Sequence, residues 1–301
     1  MGDGIYLVAG AAGPTGRSAV RALRNGGRTV RALVHRHDAR SDALRAQGAE
    51  IVVGDFHDID AIHRALDGVG GAYFVHPVAP GIEEATSTFA AAALEAGTRT
   101  VVNMSQSSAR RDSGSPASRA HWLAERVLDA SGLGVTHLRP TFFAEWFTYP
   151  FVRHSVTVAG ELRLPFGAGR HAPIAAEDQG RVIAAILGAS EPHHGRTYYL
   201  CGTDEGTHDD HAASIGRALG RHVVYRPIPD DEFVGVVRSV LPGPRWDFLV
   251  HHVTAVAADY RNDLLAGTND LVERLTGRRP LTVAEFIRQR ASAFEPPAAA
   301  V

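Results

Sequence analysis

The chain contains no lysine: each of its 31 residues of the Lys and Arg types is an arginine. Catalysis through a lysine ammonium or a lysine Schiff base is therefore excluded. Cysteine is nearly absent as well, because Cys201 is the only one among the 301 residues. A single cysteine excludes an internal disulfide framework and suits a reducing compartment.

Strong net charge and long hydrophobic runs are also missing. The net charge is −2 and the isoelectric point is near 6.8, so nothing in the charge favours nucleic acid or an anionic membrane surface. No apolar run reaches the length of a membrane span, and the start Met1-Gly2-Asp3-Gly4 lacks the basic residues of a secretory signal. We expect a cytoplasmic protein without nucleic-acid or membrane partners.

Strand-like and helix-like segments alternate along the chain, which predicts an α/β fold with a doubly wound parallel sheet of the Rossmann type. The predicted strands are 5–8, 29–34, 51–53, 71–75, 100–103 and 135–138. The predicted helices include 61–66, 83–96, 118–130, 178–187 and 210–219.

The pattern loosens after Pro140 into aromatic and Gly/Pro-rich segments, which predicts a smaller C-terminal α/β lobe. We expect a nucleotide-binding domain over 1–150, to which parts of 172–200 return. Residues 151–171 and 201–295 are expected to form the smaller substrate-binding lobe. The proline and alanine residues of 296–301 predict a flexible tail.

The first predicted strand ends at a glycine turn, which a helix follows at once. Glycines at these spacings allow a tight turn, let the backbone approach a pyrophosphate, and let the helix pack close to the strand. The helix N-terminus then points its N–H groups at the phosphates. The turn therefore predicts a dinucleotide site, with cofactor-binding residues Gly10, Ala12, Gly13, Pro14, Thr15 and Gly16.

Four further stretches give the chain a family resemblance. They are Val53-Gly54-Asp55, Leu138-Arg139-Pro140-Thr141-Phe142-Phe143, the segment 174–178, and the segment 272–280 near the C-terminus. Together with the glycine turn they resemble the atypical short-chain dehydrogenases/reductases of the NmrA-like group. That group includes NADP-binding redox regulators and quinone oxidoreductases, so the resemblance implies an NAD(P)-binding protein of one of these kinds.

The choice of cofactor is read at the end of the second strand, where NAD-binding folds commonly place an acidic residue on the ribose hydroxyls. Here the strand is followed by His35-Arg36-His37. A guanidinium binds a 2'-phosphate through two parallel hydrogen bonds, so Arg36 predicts NADP(H). Similar proteins carry their arginine at the place of His35. Arg31 and Arg40 are therefore competing donors, and a merely solvated basic edge is the structural alternative.

The resemblance also implies further cofactor contacts. Asp55 and Phe56 would flank the adenine, although Asp55 could be a simple turn residue. Val75 and His76 should lie beside the cofactor, at the end of the fourth strand, and Ser105 follows the fifth strand.

The catalytic region departs from the family pattern. Related reductases carry Tyr-x-x-x-Lys on the helix after the fifth strand, and here these two positions are Ala117 and His121. His121 could bind the nicotinamide ribose or act as a general acid, or it could be a polar helix residue. Glu125, one turn later, could orient the His121 ring or simply be solvated. Ser107 is the nearest match to the family's catalytic hydroxyl, with loop capping as its alternative.

Aromatic residues are concentrated directly after the sixth strand. This concentration predicts a flat, apolar, aromatic or quinone-like substrate, with Phe142, Phe143 and Trp146 as its contacts. The alternative is that the rings only pack the core. Sixteen histidines raise the question of a metal, but the chain has no HExxH motif and one cysteine, so we expect none.

Two classes of function fit these observations. The first is an NADP(H)-dependent oxidoreductase acting on a carbonyl, enone or quinone-like substrate without the usual dyad. The second is a non-catalytic NADP(H)-binding regulator that reports redox state to a partner protein. Non-redox isomerisation or cyclisation on the same fold is a third possibility. The missing tyrosine favours the regulator, and the aromatic cluster favours the enzyme, which is our narrow preference.

Overall fold

The structure is a computed structural model that describes residues 4–295, so the predicted tail at 296–301 lies outside the described residues. The chain divides into two compact units. Unit 1 comprises the described residues up to Pro140, together with Ala176–Leu200 and Leu271–Arg278. Unit 2 comprises Thr141–Ala175, Cys201–Asp270 and the described residues from Arg279 onwards.

These units differ from the predicted domains in two places. Residues 141–150 belong to unit 2, because the rings of Phe142 and Phe147 lie in that unit's core. Residues 271–278 belong to unit 1, because the short helix that contains Leu271 packs within it.

Unit 1 is built on a seven-stranded parallel sheet, which confirms the predicted Rossmann-type α/β fold. Its strand order is β3-β2-β1-β4-β5-β6-β8. The strands are β1 (Ile5–Val8), β2 (Thr29–Val34), β3 (Glu50–Val53), β4 (Val69–Phe74), β5 (Thr100–Met104), β6 (Gly134–Pro140) and β8 (Arg196–Leu200). Strand β8 extends the sheet beyond β6 and was not predicted.

The helices of unit 1 follow its strands in alternation. They are α1 (Pro14–Asn25), α2 (Ala39–Ala46), α3 (Ile59–Leu66), α4 (Ile82–Glu95), α5 (Pro116–Ala130), α7 (Ala176–Gly188) and α11 (Leu271–Thr276). Helix α1 packs closely against α7 because Gly180 has no side chain: a Cβ there would lie 2.5 Å from the carbonyl carbon of Ser18. Among residues 4–295 no helix is long and apolar enough to cross a membrane.

The strand order reverses between β1 and β4, which are neighbours in the sheet. In open α/β sheets, ligands bind outside the carboxyl ends of the strands at such a switch point. The residues predicted to bind a cofactor follow the carboxyl ends of five strands of this sheet. The fold therefore places them at the edge where a ligand is expected.

Unit 2 contains a two-stranded parallel sheet, in which β7 (Glu161–Leu164) pairs with β9 (Val224–Pro227). Its helices are α6 (Pro150–Ala159), α8 (His208–Leu219), α9 (Asp230–Val240), α10 (Asp247–Arg261) and α12 (Val283–Arg288). Its core is rich in aromatic rings, including Phe147, Phe166, Phe233 and Phe286. Apolar faces of helices and strands meet there, and burial of these rings drives the packing.

Three histidines are buried within the core of unit 2. The rings of His171 and His208 lie 4.5 Å apart, and those of His171 and His211 lie 4.7 Å apart. The His208 ring stacks on Phe166 at 5.0 Å, and neither ring nitrogen of His171 or His208 has a hydrogen-bond partner within the described chain. Burial lowers the pKa of all three imidazoles, and charge on His211 further lowers the pKa of His171 and of His208. They therefore act as neutral aromatic rings.

This histidine cluster makes the folded protein less stable at acidic pH. Each imidazole binds a proton in the unfolded chain below a pKa of about 6.5 but stays neutral in the fold, so stability is lost as pH falls. The free energy of unfolding then falls by up to about 1.4 kcal/mol per imidazole for each pH unit, as long as the pH stays above the pKa of that imidazole in the folded state. We expect urea unfolding at about pH 7.5, 6.5 and 5.5 to show this slope, and His208→Phe to reduce it.

The control is His154→Gln, because His154 is exposed on α6 of the same unit. This variant should keep the full pH dependence. A His208→Phe protein with an unchanged slope would show that the His208 imidazole is not held neutral.

Candidate functional site

The glycine turn has a geometry that only small residues permit. Gly10 has a φ of +65°, and a Cβ on it would lie 2.6 Å from Cγ1 of Val75. A Cβ on Gly16 would overlap the carbonyl oxygen of Gly10 and lie 2.7 Å from Cα of Ala11. Gly10 thus makes the turn possible, and Gly16 allows α1 to start directly against it.

Gly13 is less crowded than Gly10 and Gly16. Its backbone is extended at the N-cap of α1, and a Cβ would meet only the Gly10 carbonyl oxygen, at 3.3 Å. No side chain in the described part of the protein caps this helix N-terminus. The turn therefore leaves room for a ligand beside the first N–H groups of α1, where an anion is stabilised.

The other residues of the turn make different contacts. Pro14 is the first helical residue of α1, with its ring exposed, and Ala12 accepts a hydrogen bond from the Arg17 guanidinium at 2.5 Å. The Thr15 hydroxyl is buried and accepts a hydrogen bond from Tyr73 at 2.9 Å. Thr15 can thus offer a ligand its backbone N–H, whereas its side chain ties α1 to β4.

The loop after β2 carries several charges. Asp38 caps α2 and binds the Arg40 guanidinium through both carboxylate oxygens, which holds the pKa of Asp38 down at about 2. Arg36 is exposed and lies farther from the same carboxylate, with Nε 3.8 Å from Oδ2. Of the two arginines near Asp38, Arg36 therefore forms the weaker ion pair with it.

Arg31 is excluded as the competing donor. Its guanidinium binds Glu50 at 3.0 Å and donates to the carbonyl oxygens of Ala65 and Asp67. These bonds hold it within β2, three residues before the strand ends. Arg40 is engaged by Asp38, which leaves Arg36 and the adjacent His35 at the strand end.

Asp55 is more than a turn residue. Its Oδ1 accepts hydrogen bonds from the backbone N–H and the ring Nδ1 of His57, both at 2.9 Å, and its Oδ2 lies 3.5 Å from Nδ1 of His35. The His57 bonds lower the pKa of Asp55. The sequence analysis missed His57; its position two residues after Asp55 was the available signal.

Phe56 and His76 lie close together at the ends of β3 and β4. The Phe56 ring packs edge-on against Phe74 at 5.3 Å and lies 5.9 Å from the His76 ring. His76 is buried, its Nδ1 lies 2.8 Å from the Pro77 carbonyl oxygen, and burial lowers its pKa. The His76 ring is therefore a neutral group at this edge.

The loop after β5 contains two buried polar atoms that lack a partner. Ser105 Oγ and Gln106 Nε2 form no hydrogen bond with any residue that the structure describes. The Ser108 hydroxyl, in contrast, is hydrogen-bonded to the Ser118 hydroxyl at 2.8 Å. Ser107 is half-buried, and its backbone N–H donates a hydrogen bond to the Pro140 carbonyl oxygen. Buried polar atoms without partners are rare in native folds and point to a missing ligand or water. Gln106 was not foreseen.

Helix α5 brings Ala117 and His121 onto one buried face, one turn apart. The Ser115 hydroxyl caps this helix by accepting from the Ser118 N–H. His121 is 5% exposed, so its ring is almost withdrawn from solvent. A general acid in such a place is shielded from bulk water, which suits proton transfer to a bound substrate.

Glu125 is buried and has a structural partner, so it is not a simply solvated residue. Its buried carboxylate binds the Arg139 guanidinium through two hydrogen bonds, of 2.8 and 2.5 Å, and Arg139 also donates to Tyr199. This pairing raises the pKa of Arg139. Glu125 therefore ties α5 to β6.

The three predicted substrate contacts occupy different places in unit 2. Phe142 is 5% exposed and packs against Phe147 at 5.4 Å and His171 at 5.1 Å, so its ring belongs to the core. Phe143 is half-buried and its backbone pairs with Ile174. Trp146 is half-buried too, with its ring 4.8 Å from Tyr149. Phe143 and Trp146 are thus the better placed of the three to contact a ligand.

The part of the chain that the structure describes has no group of three His, Cys, Asp or Glu residues arranged to hold a metal ion. The residues of unit 1 do fit a dinucleotide: a glycine cradle at a helix N-terminus, a basic strand end, and the unpartnered Ser105 hydroxyl.

The sequence resembles two curated reductases over nearly its whole length. An NAD(P)H azoreductase from Xenophilus azovorans is 29% identical over 96% of this chain and 99% of its own. The (4-alkanoyl-5-oxo-2,5-dihydrofuran-3-yl)methyl phosphate reductase of Streptomyces griseus is also 29% identical, over 97% of this chain and 100% of its own.

Solved structures share the fold. The quinone oxidoreductase QOR2 from Escherichia coli, in complex with NADPH, superposes with a TM-score of 0.82 at 23% identity and covers 95% of this chain and 99% of its own. The transcriptional regulator NmrA superposes with a TM-score of 0.80 at 17% identity, over 97% of this chain and 96% of its own. The NmrA-like family matches residues 3–286, and the chain belongs to this family.

Proposed function

We propose that the protein is an NADPH-dependent oxidoreductase that reduces a flat, apolar carbonyl, enone or quinone-like compound. The observation that carries this proposal is the uncapped, glycine-lined N-terminus of α1 beside a strand end that bears Arg36 instead of an acid. The two full-length relatives that are reductases support catalysis over regulation. Bound NADPH would supply the hydride.

Binding follows from the residues of unit 1. The first N–H groups of α1 would hold the pyrophosphate, and Arg36 would bind the 2'-phosphate through charged hydrogen bonds. Asp55 and Phe56 would contact the adenine. Val75, His76 and Ser105 would contact the nicotinamide half, since all three follow the carboxyl ends of β4 and β5.

Proton delivery is assigned to His121, with Ser107 as the hydroxyl beside the substrate. Tyrosine is missing at position 117, so the buried His121 imidazole is the group of this helix face that we assign as the proton donor. Phe143 and Trp146 are the proposed substrate contacts in unit 2. A flat ring system suits them because aromatic faces gain from stacking.

The second candidate is a redox-sensing regulator, which position 117 favours because alanine cannot donate a proton. Such a protein would bind NADPH tightly without consuming it. A panel of quinones, enones and azo compounds separates the two: oxidation of NADPH supports the enzyme, and tight binding without any oxidation supports the regulator.

Gly13→Val tests the cradle. The added Cβ would meet only the Gly10 carbonyl oxygen, and the side chain would occupy the place of the pyrophosphate. NADPH affinity should therefore fall by roughly a hundredfold, with a smaller change in melting temperature than in Gly16→Val. Gly16→Val is the comparison, because it should unfold or strongly destabilise the protein. Full NADPH affinity in a folded Gly13→Val variant would show that the turn is only structural.

Arg36→Ala tests the cofactor preference. Loss of a charged hydrogen bond of about 1.5 to 3 kcal/mol should weaken NADPH binding by roughly 10- to 100-fold and leave NADH binding almost unchanged. The matched control is Arg45→Ala, whose guanidinium pairs with Asp42 on α2. Equal affinities of the unmodified protein for NADPH and NADH would contradict the assignment.

His121→Ala tests the proton donor. Turnover of a quinone or enone should fall by roughly 10² while NADPH still binds. Because His121 is buried, His121→Gln serves as a second variant of similar size, and the melting temperature of both is measured. Normal turnover in either folded variant would assign the proton to another group.

A further inference from the structure

Two exposed imidazoles share one carboxylate at the adenosine end of the site. Asp55 Oδ1 accepts from Nδ1 of His57 at 2.9 Å, and Asp55 Oδ2 lies 3.5 Å from Nδ1 of His35. His35 directly follows β2 and His57 follows β3, so one carboxylate holds groups from two loops. When Nδ1 of each ring faces the carboxylate, its Nε2 is left as the second donor or acceptor.

The fixed charges of this corner cancel each other. Arg36 and Arg40 contribute two positive charges, and Asp38 and Asp55 contribute two negative ones. The Asp38 carboxylate binds Arg40 closely and lies 3.8 Å from Arg36, which reduces the field that a phosphate would meet. The net charge of these four groups is therefore zero, and the two carboxylates reduce the attraction between Arg36 and a phosphate dianion.

Protonated imidazoles would change this balance. With both rings charged, the corner would carry two additional positive charges, next to the strand end that reads the 2'-position of the ribose. A nearby dianion and a nearby carboxylate both favour the charged form of an imidazole.

We propose that His35 and His57, held by Asp55, are specificity-determining residues that take up a proton from solvent when a 2'-phosphorylated dinucleotide binds. The preference for NADPH over NADH then depends on pH. This inference rests on the proposed NADPH-binding function. It adds two imidazoles, which can gain a proton, to Arg36 as groups that recognise the 2'-phosphate.

The surroundings of the pair contain other charged groups, which set the size of the effect. Glu84 of α4 lies 3.8 Å from His57 Nε2. His76 at the end of β4 interacts with both His57 and Asp55, and Glu83 of α4 acts on His76. Gly81, the N-cap residue of α4, also lies close to the His57 ring, so the positive end of this helix faces it.

Linkage gives the direction of the pH dependence. Proton uptake on binding means that NADPH affinity rises as pH falls, by at most about tenfold per pH unit for one proton. Between about pH 8.5 and 6.5 we expect the ratio of the Kd for NADH to that for NADPH to rise by roughly five- to tenfold. Below about pH 6 the 2'-phosphate itself gains a proton and the rise ends.

Titration calorimetry measures the number of protons that the protein takes up when a nucleotide binds. NADPH and NADH are titrated into the full-length protein at about pH 7.5, in two phosphate-free buffers that differ in ionisation enthalpy. We expect uptake of roughly 0.5 to 1 proton with NADPH and about none with NADH. His35→Asn and His57→Asn should each reduce the uptake and flatten the pH dependence. His63→Asn on α3 is the control and should leave both unchanged.

Equal proton uptake with the two nucleotides would overturn the inference, as would full uptake with NADPH in the double variant of His35 and His57. Either result leaves NADPH binding itself in place. A protein that binds neither nucleotide in these titrations would overturn the proposed function together with the inference.

Discussion

The close approach of α1 to the end of β1 is the constraint on which the site depends. Gly16 lies against the backbone of Gly10, so the helix starts directly at the turn, with Gly13 at its N-cap. Any side chain at Gly16 would push α1 away from β1. The same geometry directs the first helical N–H groups to the switch point of the sheet, which is where an anionic ligand gains most.

Two pairs of histidines lie in contrasting surroundings. In unit 1, His35 and His57 are exposed and share a carboxylate, whereas His137 of the same unit is buried. In unit 2, His171 and His208 are buried among aromatic rings and remain neutral. Solvent access and the nearest charge account for the difference. The buried pair in unit 2 thus serves packing, and the exposed pair in unit 1 serves, in our proposal, recognition of the ligand.

Much of this could be predicted from sequence, because the signals were local. The glycine spacing predicted the turn, and alternating apolar segments predicted six of the seven strands. Strand β8 was missed because its five residues carry little pattern of their own. The His57–Asp55 and Glu125–Arg139 pairs depend on how separate side chains meet in three dimensions, which spacing does not reveal. The histidines of unit 2 come together from segments far apart in sequence for the same reason.

The central claim is that the N-terminus of α1 holds the pyrophosphate of NADPH. A crystal structure of the protein with NADPH tests it most directly. We expect pyrophosphate oxygens within about 3.2 Å of backbone N–H groups between Gly13 and Gly16, with the 2'-phosphate at Arg36 and His35. A nucleotide bound elsewhere, or density at the turn that lacks a pyrophosphate, would contradict it.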